Sequence, residues 1–196
     1  MFMEIIIYAI LAFIASLWID KLYMKSTELS FPDKILARSR YRKYFLFFSF
    51  VILFSLKPLE PFKLIAIYFL ILMTVTDFEQ YMLFDVMTLP FALIGGVFAW
   101  QNEILTENFI SAIIGGGIFF LLAIISRGAI GGGDIKLIFG IGMWLGAENL
   151  LNVVLIGAIL GGVAALLMIL AKKKKRDSYF AYGPYFTLPT IYFLFC

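Results

Sequence analysis

Apolar residues run along this chain in long blocks, each ended by a short polar or charged interruption. A helix needs about 20 apolar residues to cross a bilayer. The blocks at 1–23, 44–56, 62–76, 86–100, 109–126, 135–146, 151–171 and 179–195 therefore predict an all-α, polytopic membrane protein of about eight transmembrane helices. Blocks 44–56 and 135–146 are short, so six full spans plus two short or tilted helices is the alternative. The first block is too long for a cleaved signal peptide and lacks its basic start and small-residue exit, so it reads as a retained span. Lys57-Pro58-Leu59-Glu60-Pro61 has the chemistry of a turn. No polar stretch is long enough for a soluble module, so residues 1–196 read as a single membrane domain, with 25–43 as its longest inward loop.

The basic residues give the orientation. If the N-terminus lies outside and every block crosses, then of 16 basic residues only Lys57 and Lys63 face outward. The others gather on the inner side, as the positive-inside rule requires. The basic run 172–176 then reads as an anchor to anionic lipid.

Composition narrows the chemistry. The chain is 63% hydrophobic and 15% charged, with mean hydropathy +0.99, against roughly 45–50% apolar and 25% charged in a soluble domain. Soluble enzymes and nucleic-acid-binding domains are excluded, and no nucleic-acid partner is expected. There is no histidine, and Cys196 is the one cysteine. That leaves no histidine base, no intrachain disulfide and no multi-cysteine metal site. No metal or cofactor is expected. Any reaction must use carboxylates, hydroxyls, amines or the backbone. The glycines at 95–96, 115–117, 157 and 161–162 fall within apolar blocks and read as points of tight helix packing.

Among the acids, Asp20, Glu28, Asp33 and Asp177 lie in or beside basic inner segments and read as solvated ion-pair partners. Asp77, Glu79, Asp85 and Asp134 lie at inner ends of spans with few compensating charges, where a carboxylate is costly and marks a functional cavity. Asp77 ends the apolar run from Leu64 to Thr76, and Asp134 follows Gly131-Gly132-Gly133 at the start of the next span. Three glycines give a backbone that can bend and be closely approached, and a helix start favours the aspartate anion. Two carboxyls meeting at one spot do not readily ionise together. One can then polarise a peptide carbonyl while the other takes a proton from water. On these residues alone an intramembrane aspartyl protease and a transporter or channel fit equally, with a structural or assembly protein as a third reading.

The motifs themselves carry a resemblance. Gly131-Gly132-Gly133-Asp134-Ile135-Lys136-Leu137 resembles the GxGD-x-K-L segment of type IV prepilin peptidases, which are intramembrane aspartyl proteases. Asp77-Phe78-Glu79 with Asp85 and Thr88-Leu89-Pro90 resembles their first catalytic segment, and Tyr182-Gly183-Pro184-Tyr185 resembles their C-terminal Phe-Gly-Pro motif. Phe84 stands where the family often has proline, and Tyr182 where it often has phenylalanine.

The resemblance covers about residues 64–196 and makes this stretch the peptidase core. It implies Asp77 and Asp134 as the catalytic pair. Gly131, Gly133 and Lys136 are then supporting residues of the second motif, and Gly183 and Pro184 the C-terminal motif. Glu79 and Asp85 are implied as non-catalytic acids, serving loop structure or contact with the basic leader of a substrate. The implied substrates are prepilins or pseudopilins, cut at the cytoplasmic face of the inner membrane. An archaeal preflagellin-type peptidase and a small proton-coupled transporter are the alternatives. Longer family members carry a cysteine-rich, zinc-binding module after the first span and also methylate the new N-terminus. Here the matching stretch, 26–41, has no cysteine, so that module reads as reduced to a basic loop.

Overall fold

The computed structural model describes residues 2–27, 29–31, 35–55, 60–128, 130–171 and 180–195. Glu28, Asp33, the turn at Lys57 and Pro58, the basic run 172–176, Asp177 and Cys196 lie outside the described residues. The helices are α1 (Phe2–Lys25), α2 (Ile35–Ser55), α3 (Pro61–Gln80), α4 (Asp85–Gln101), α5 (Leu105–Ile125), α6 (Gly132–Leu170) and α7 (Gly183–Phe195). Four of them include stretches long and apolar enough to cross a membrane: Ile6–Lys25, Pro61–Gln80, Leu105–Ile125 and Gly132–Leu170.

The seven helices among the described residues account for eight apolar blocks because α6 is broken at Gly146, whose φ of 72° and ψ of −173° suit glycine alone. A straight helix would hold Ile138 and Leu150 about 18 Å apart along its axis. Instead both lie against Gly115 of α5, where an added Cβ would sit 2.6 Å from Leu150 Cδ2 and 3.4 Å from Ile138 Cγ2. The chain folds back at Gly146 with no intervening loop. At the fold the Asn108 side-chain amide donates to the Met143 carbonyl at 2.9 Å, so the backbone disturbed there keeps a partner inside the bundle.

The second correction concerns 25–43. Lys25 ends α1 and α2 starts at Ile35, so 35–43 is helix rather than loop, and the short block 44–56 becomes part of a 21-residue helix. The physical reason lies in one helical stripe: Ser39, Arg42, Leu46 and Phe50 are all buried, at the spacing of a single helix face. Arg42 is therefore an inward-facing residue with partners waiting for it rather than part of a solvated run.

Helix α3 is the centre of the bundle, and its residues from Leu70 to Asp77 are all buried. Large apolar side chains elsewhere point outward, among them Leu93 at 72%, Ile125 at 76% and Leu170 at 69% exposure. On a soluble monomer such a surface would aggregate; in a bilayer it faces lipid. Association of the helices then rests on packing and on small residues rather than on burial from water. Gly95 meets Trp144, Gly116 meets Phe139, and Gly157 and Gly161 meet Phe186 and Tyr182. Gly117 and Gly162 depart from this pattern, with nothing within 4 Å of an added Cβ.

Candidate active site

Three sequence-distant segments meet at the end of the bundle that carries Arg42 and Lys136. Asp77 lies in the last turn of α3, which stops at Gln80 because Tyr81 turns left-handed (φ 55°) and its N–H bonds the Asp77 carbonyl at 2.9 Å. Residues 81–84 then lead directly into α4. Asp134 is the third residue of α6, its N–H donates to the Gly131 carbonyl at 3.1 Å, and its carboxylate lies 3.4 Å from where a Cβ on Gly131 would sit.

The segments touch through glycines. A Cβ on Gly133 would sit 2.8 Å from Leu83 Cβ, so the 81–84 turn rests directly on the first turn of α6. Lys136 Nζ pairs with Asp85 Oδ1 at 2.5 Å and joins the starts of α4 and α6. Gly183, the first residue of α7, donates its N–H to Asp77 Oδ2 at 2.8 Å, and a Cβ there would lie equally close to that oxygen. Pro184 follows in the first turn of α7, where its missing N–H costs no helical bond. Asp77 is buried, only 6% exposed, and Asp134 is half-buried. The Gly183–Asp77 bond and the Gly133–Leu83 contact bring Asp77 and Asp134 to the same end of the bundle. The N-terminus of α6 points at Asp134 and that of α7 at Asp77, and two positive helix ends offset part of the cost of negative charge at this depth.

Glu79 and Asp85 have different surroundings. Asp85 sits half-exposed in its pair with Lys136. Glu79, expected to serve loop structure or contact with a basic leader, is held inside the protein. It accepts from Arg42 Nε at 2.9 Å and from Tyr23 Oη at 2.9 Å, and Arg42 Nη2 lies 2.8 Å away as an ion pair. Its backbone carbonyl accepts from Arg38.

Sequence reasoning missed this cluster. Arg42 also pairs with Asp20 at 2.7 Å, and Ser39 Oγ donates to the same carboxylate at 2.8 Å. The Arg42 guanidinium lies 5.0 Å over the Tyr23 ring. Gln80 bonds the backbone of Phe31 in both directions, at 2.8 and 3.1 Å. Together these contacts clamp the α1–α2 hairpin onto the end of α3 that carries Asp77. The signal available in the sequence was the buried-face spacing of 39, 42, 46 and 50.

A pair with unequal exposure predicts unequal sensitivity. Asp85→Asn removes a surface ion pair worth about 0–1 kcal/mol and should leave activity within a few-fold of wild type. Glu79→Gln keeps hydrogen-bonding capacity but leaves the Arg42 charge under-compensated, so it should lower thermal stability while keeping measurable activity. Melting curves and initial rates on the two purified variants check this; a Glu79→Gln protein as inactive as a variant of Asp77 would place Glu79 in the chemistry.

Residues 64–166 match the type IV leader peptidase family. The chain is 33% identical over 132 residues to a prepilin leader peptidase/N-methyltransferase of Neisseria gonorrhoeae, covering 64% of this chain and 45% of that protein. A protein of the same description from Pectobacterium carotovorum is 28% identical over 138 residues, covering 66% and 49%. One from Escherichia coli is 28% identical over 145 residues, covering 68% and 64%. The chain thus spans about half the length of the first two of these relatives. No solved structure matches it. The similarities favour neither a preflagellin-type peptidase nor a transporter. The matched stretch contains both aspartates and the turn that brings α4 against α6, and it takes in more than half of the molecule: the chain belongs to the type IV leader peptidase family.

Proposed function

We propose that this protein is a membrane endopeptidase that removes the N-terminal leader from type IV prepilins or pseudopilins, with Asp77 and Asp134 as an aspartyl pair. The observation that carries the reading is the meeting of three motif segments, 77–85, 131–136 and 182–185, around two carboxyls at the basic end of the bundle. The positive-inside rule supports an inner-membrane protein whose site faces the cytoplasm.

In this mechanism one carboxyl holds the shared proton and hydrogen-bonds the scissile carbonyl oxygen. The other, ionised, takes a proton from a water as that water's oxygen bonds to the carbonyl carbon. The tetrahedral intermediate collapses when a proton passes to the peptide nitrogen and the C–N bond breaks. The leader departs with a new carboxylate and the pilin keeps a new amine. The Gly183 amide fixes the Asp77 carboxyl for this exchange. Coupled carboxyls need no metal and no histidine.

Co-expression with a prepilin in cells lacking their own peptidase tests the reading. The prepilin should shift to the mass of its mature form, and an unshifted prepilin beside well-expressed, membrane-inserted protein would refute it.

A cysteine-free 26–41 and a chain without histidine cannot supply the four Cys or His ligands of a structural zinc site. The nine residues before Ile35 are also too few for a folded module. Cleavage should therefore be insensitive to chelators and leave an unmodified N-terminus. Mass spectrometry of the product made with S-adenosylmethionine present decides it: an added methyl group would show a transferase site in this chain.

A further inference from the structure

Helices α4 and α5 both pack on the first half of α6 and touch each other far less, leaving a gap over the α6 face between them. The gap is a groove of about 550 Å³. Leu89 and Leu93 form one wall, Phe109 and Phe120 the other, and Phe139 and Met143 the floor. Leu93 and Phe120 are 72% and 55% exposed, so the groove opens sideways into the bilayer.

We infer that this groove seats the apolar helix of the substrate during cleavage, an inference that rests on the peptidase reading. Continuity with the dyad is the first reason. Ile135 and Lys136, which line the groove's lower end, directly follow Asp134. A helix lying there has its polar end delivered to the two carboxyls, and the Lys136–Asp85 pair marks the level at which its apolar stretch begins. From Lys136 to Met143 the floor runs about 10 Å, two turns of a guest helix.

The groove's chemistry also fits a helix better than an acyl chain. Thr88 lines it, is 1% exposed, and its hydroxyl has no hydrogen-bond partner. Lipid tails cannot accept that proton, whereas Ser and Thr hydroxyls bond across helix–helix contacts in membranes. Gly117 opens onto the groove with nothing within 4 Å of an added Cβ. A small residue there lets a guest backbone come close.

The test compares two substrates: a full-length prepilin in membranes, and a short peptide that spans the scissile bond but lacks the apolar helix. Gly117→Trp and Leu93→Trp fill the groove from opposite walls. Leu166→Trp, on the outward face of the second half of α6, is the control. Both groove variants should lose at least tenfold more activity on the prepilin than on the peptide, and the control should alter neither. A benzophenone amino acid at Leu93 in the otherwise unaltered chain should crosslink to the prepilin's apolar segment. Equal loss on the two substrates, no loss on either, or crosslinks only to lipid or to a second copy of this chain would overturn the inference. A wild-type protein that cleaves neither substrate would instead refute the peptidase reading, and the groove assignment with it.

Discussion

Asp77→Asn and Asp134→Asn should each reduce leader cleavage by about 10²–10⁴-fold or more, the range that positioned proton transfer contributes, while the protein stays folded in the membrane. An amide keeps the size of the carboxyl and, at position 77, can still accept from the Gly183 amide. It can neither take a proton from water nor return one to the leaving nitrogen. Because one proton is shared between two groups, the double variant should be no worse than either single one. Initial rates on a purified prepilin, with melting curves to show that each variant is folded, provide the check. Substantial cleavage by either single variant would remove that aspartate from the mechanism.

Arg42→Ala should be the most destabilising single change at the basic end. Its guanidinium is fully buried and pairs with both Asp20 and Glu79. Removing one partner from a buried ion pair costs about 3–5 kcal/mol, because the remaining charge is left uncompensated. Here two carboxylates lose their partner together, and the Tyr23 ring loses the cation stacked on it. Arg42→Lys should recover only part of the loss, since a single ammonium cannot reproduce the planar fork that spans two acids. The triple variant Arg42→Met, Asp20→Asn, Glu79→Gln removes the stranded charges and should be more stable than Arg42→Ala. Thermal unfolding in detergent measures all three. An Arg42→Ala melting temperature equal to wild type would mean that the cluster does not clamp α1 and α2 onto α3.

Much of this architecture was legible because a membrane protein writes its spans as run lengths. The eight blocks overlap helical segments among the described residues; block 44–56 lengthens into α2, while 135–146 stays a short segment ahead of the break at Gly146, as the alternative with two short or tilted helices allows. The short block 44–56 misled because charge was taken as the end of a helix. Arg38 and Arg42 continue the helix past the apolar run, since their partners are already in place on α1 and α3. Those partners, at sequence separations of 22 and 37 residues, cannot be paired from a single sequence.

The candidate site was legible as three motifs at one face of the bilayer. Its contacts were not. That Gly183 rather than a side chain holds Asp77 depends on how α7 returns alongside α3, where Thr74 and Thr187 also meet at 2.6 Å. Glycines were read as one class, yet Gly116 packs against Phe139 while its neighbour Gly117 faces open space. The difference is set by which side of α5 the first half of α6 occupies, which spacing alone does not specify.

The most direct measurement is intact-mass spectrometry of a purified prepilin incubated in detergent with the purified protein and a metal chelator. The account predicts two products in equal amounts, the free leader and the mature pilin, their masses summing to the prepilin plus one water. It also predicts that neither product forms with Asp77→Asn or Asp134→Asn. An intact prepilin after incubation with folded wild-type protein, or the same two products from both aspartate variants, would contradict it.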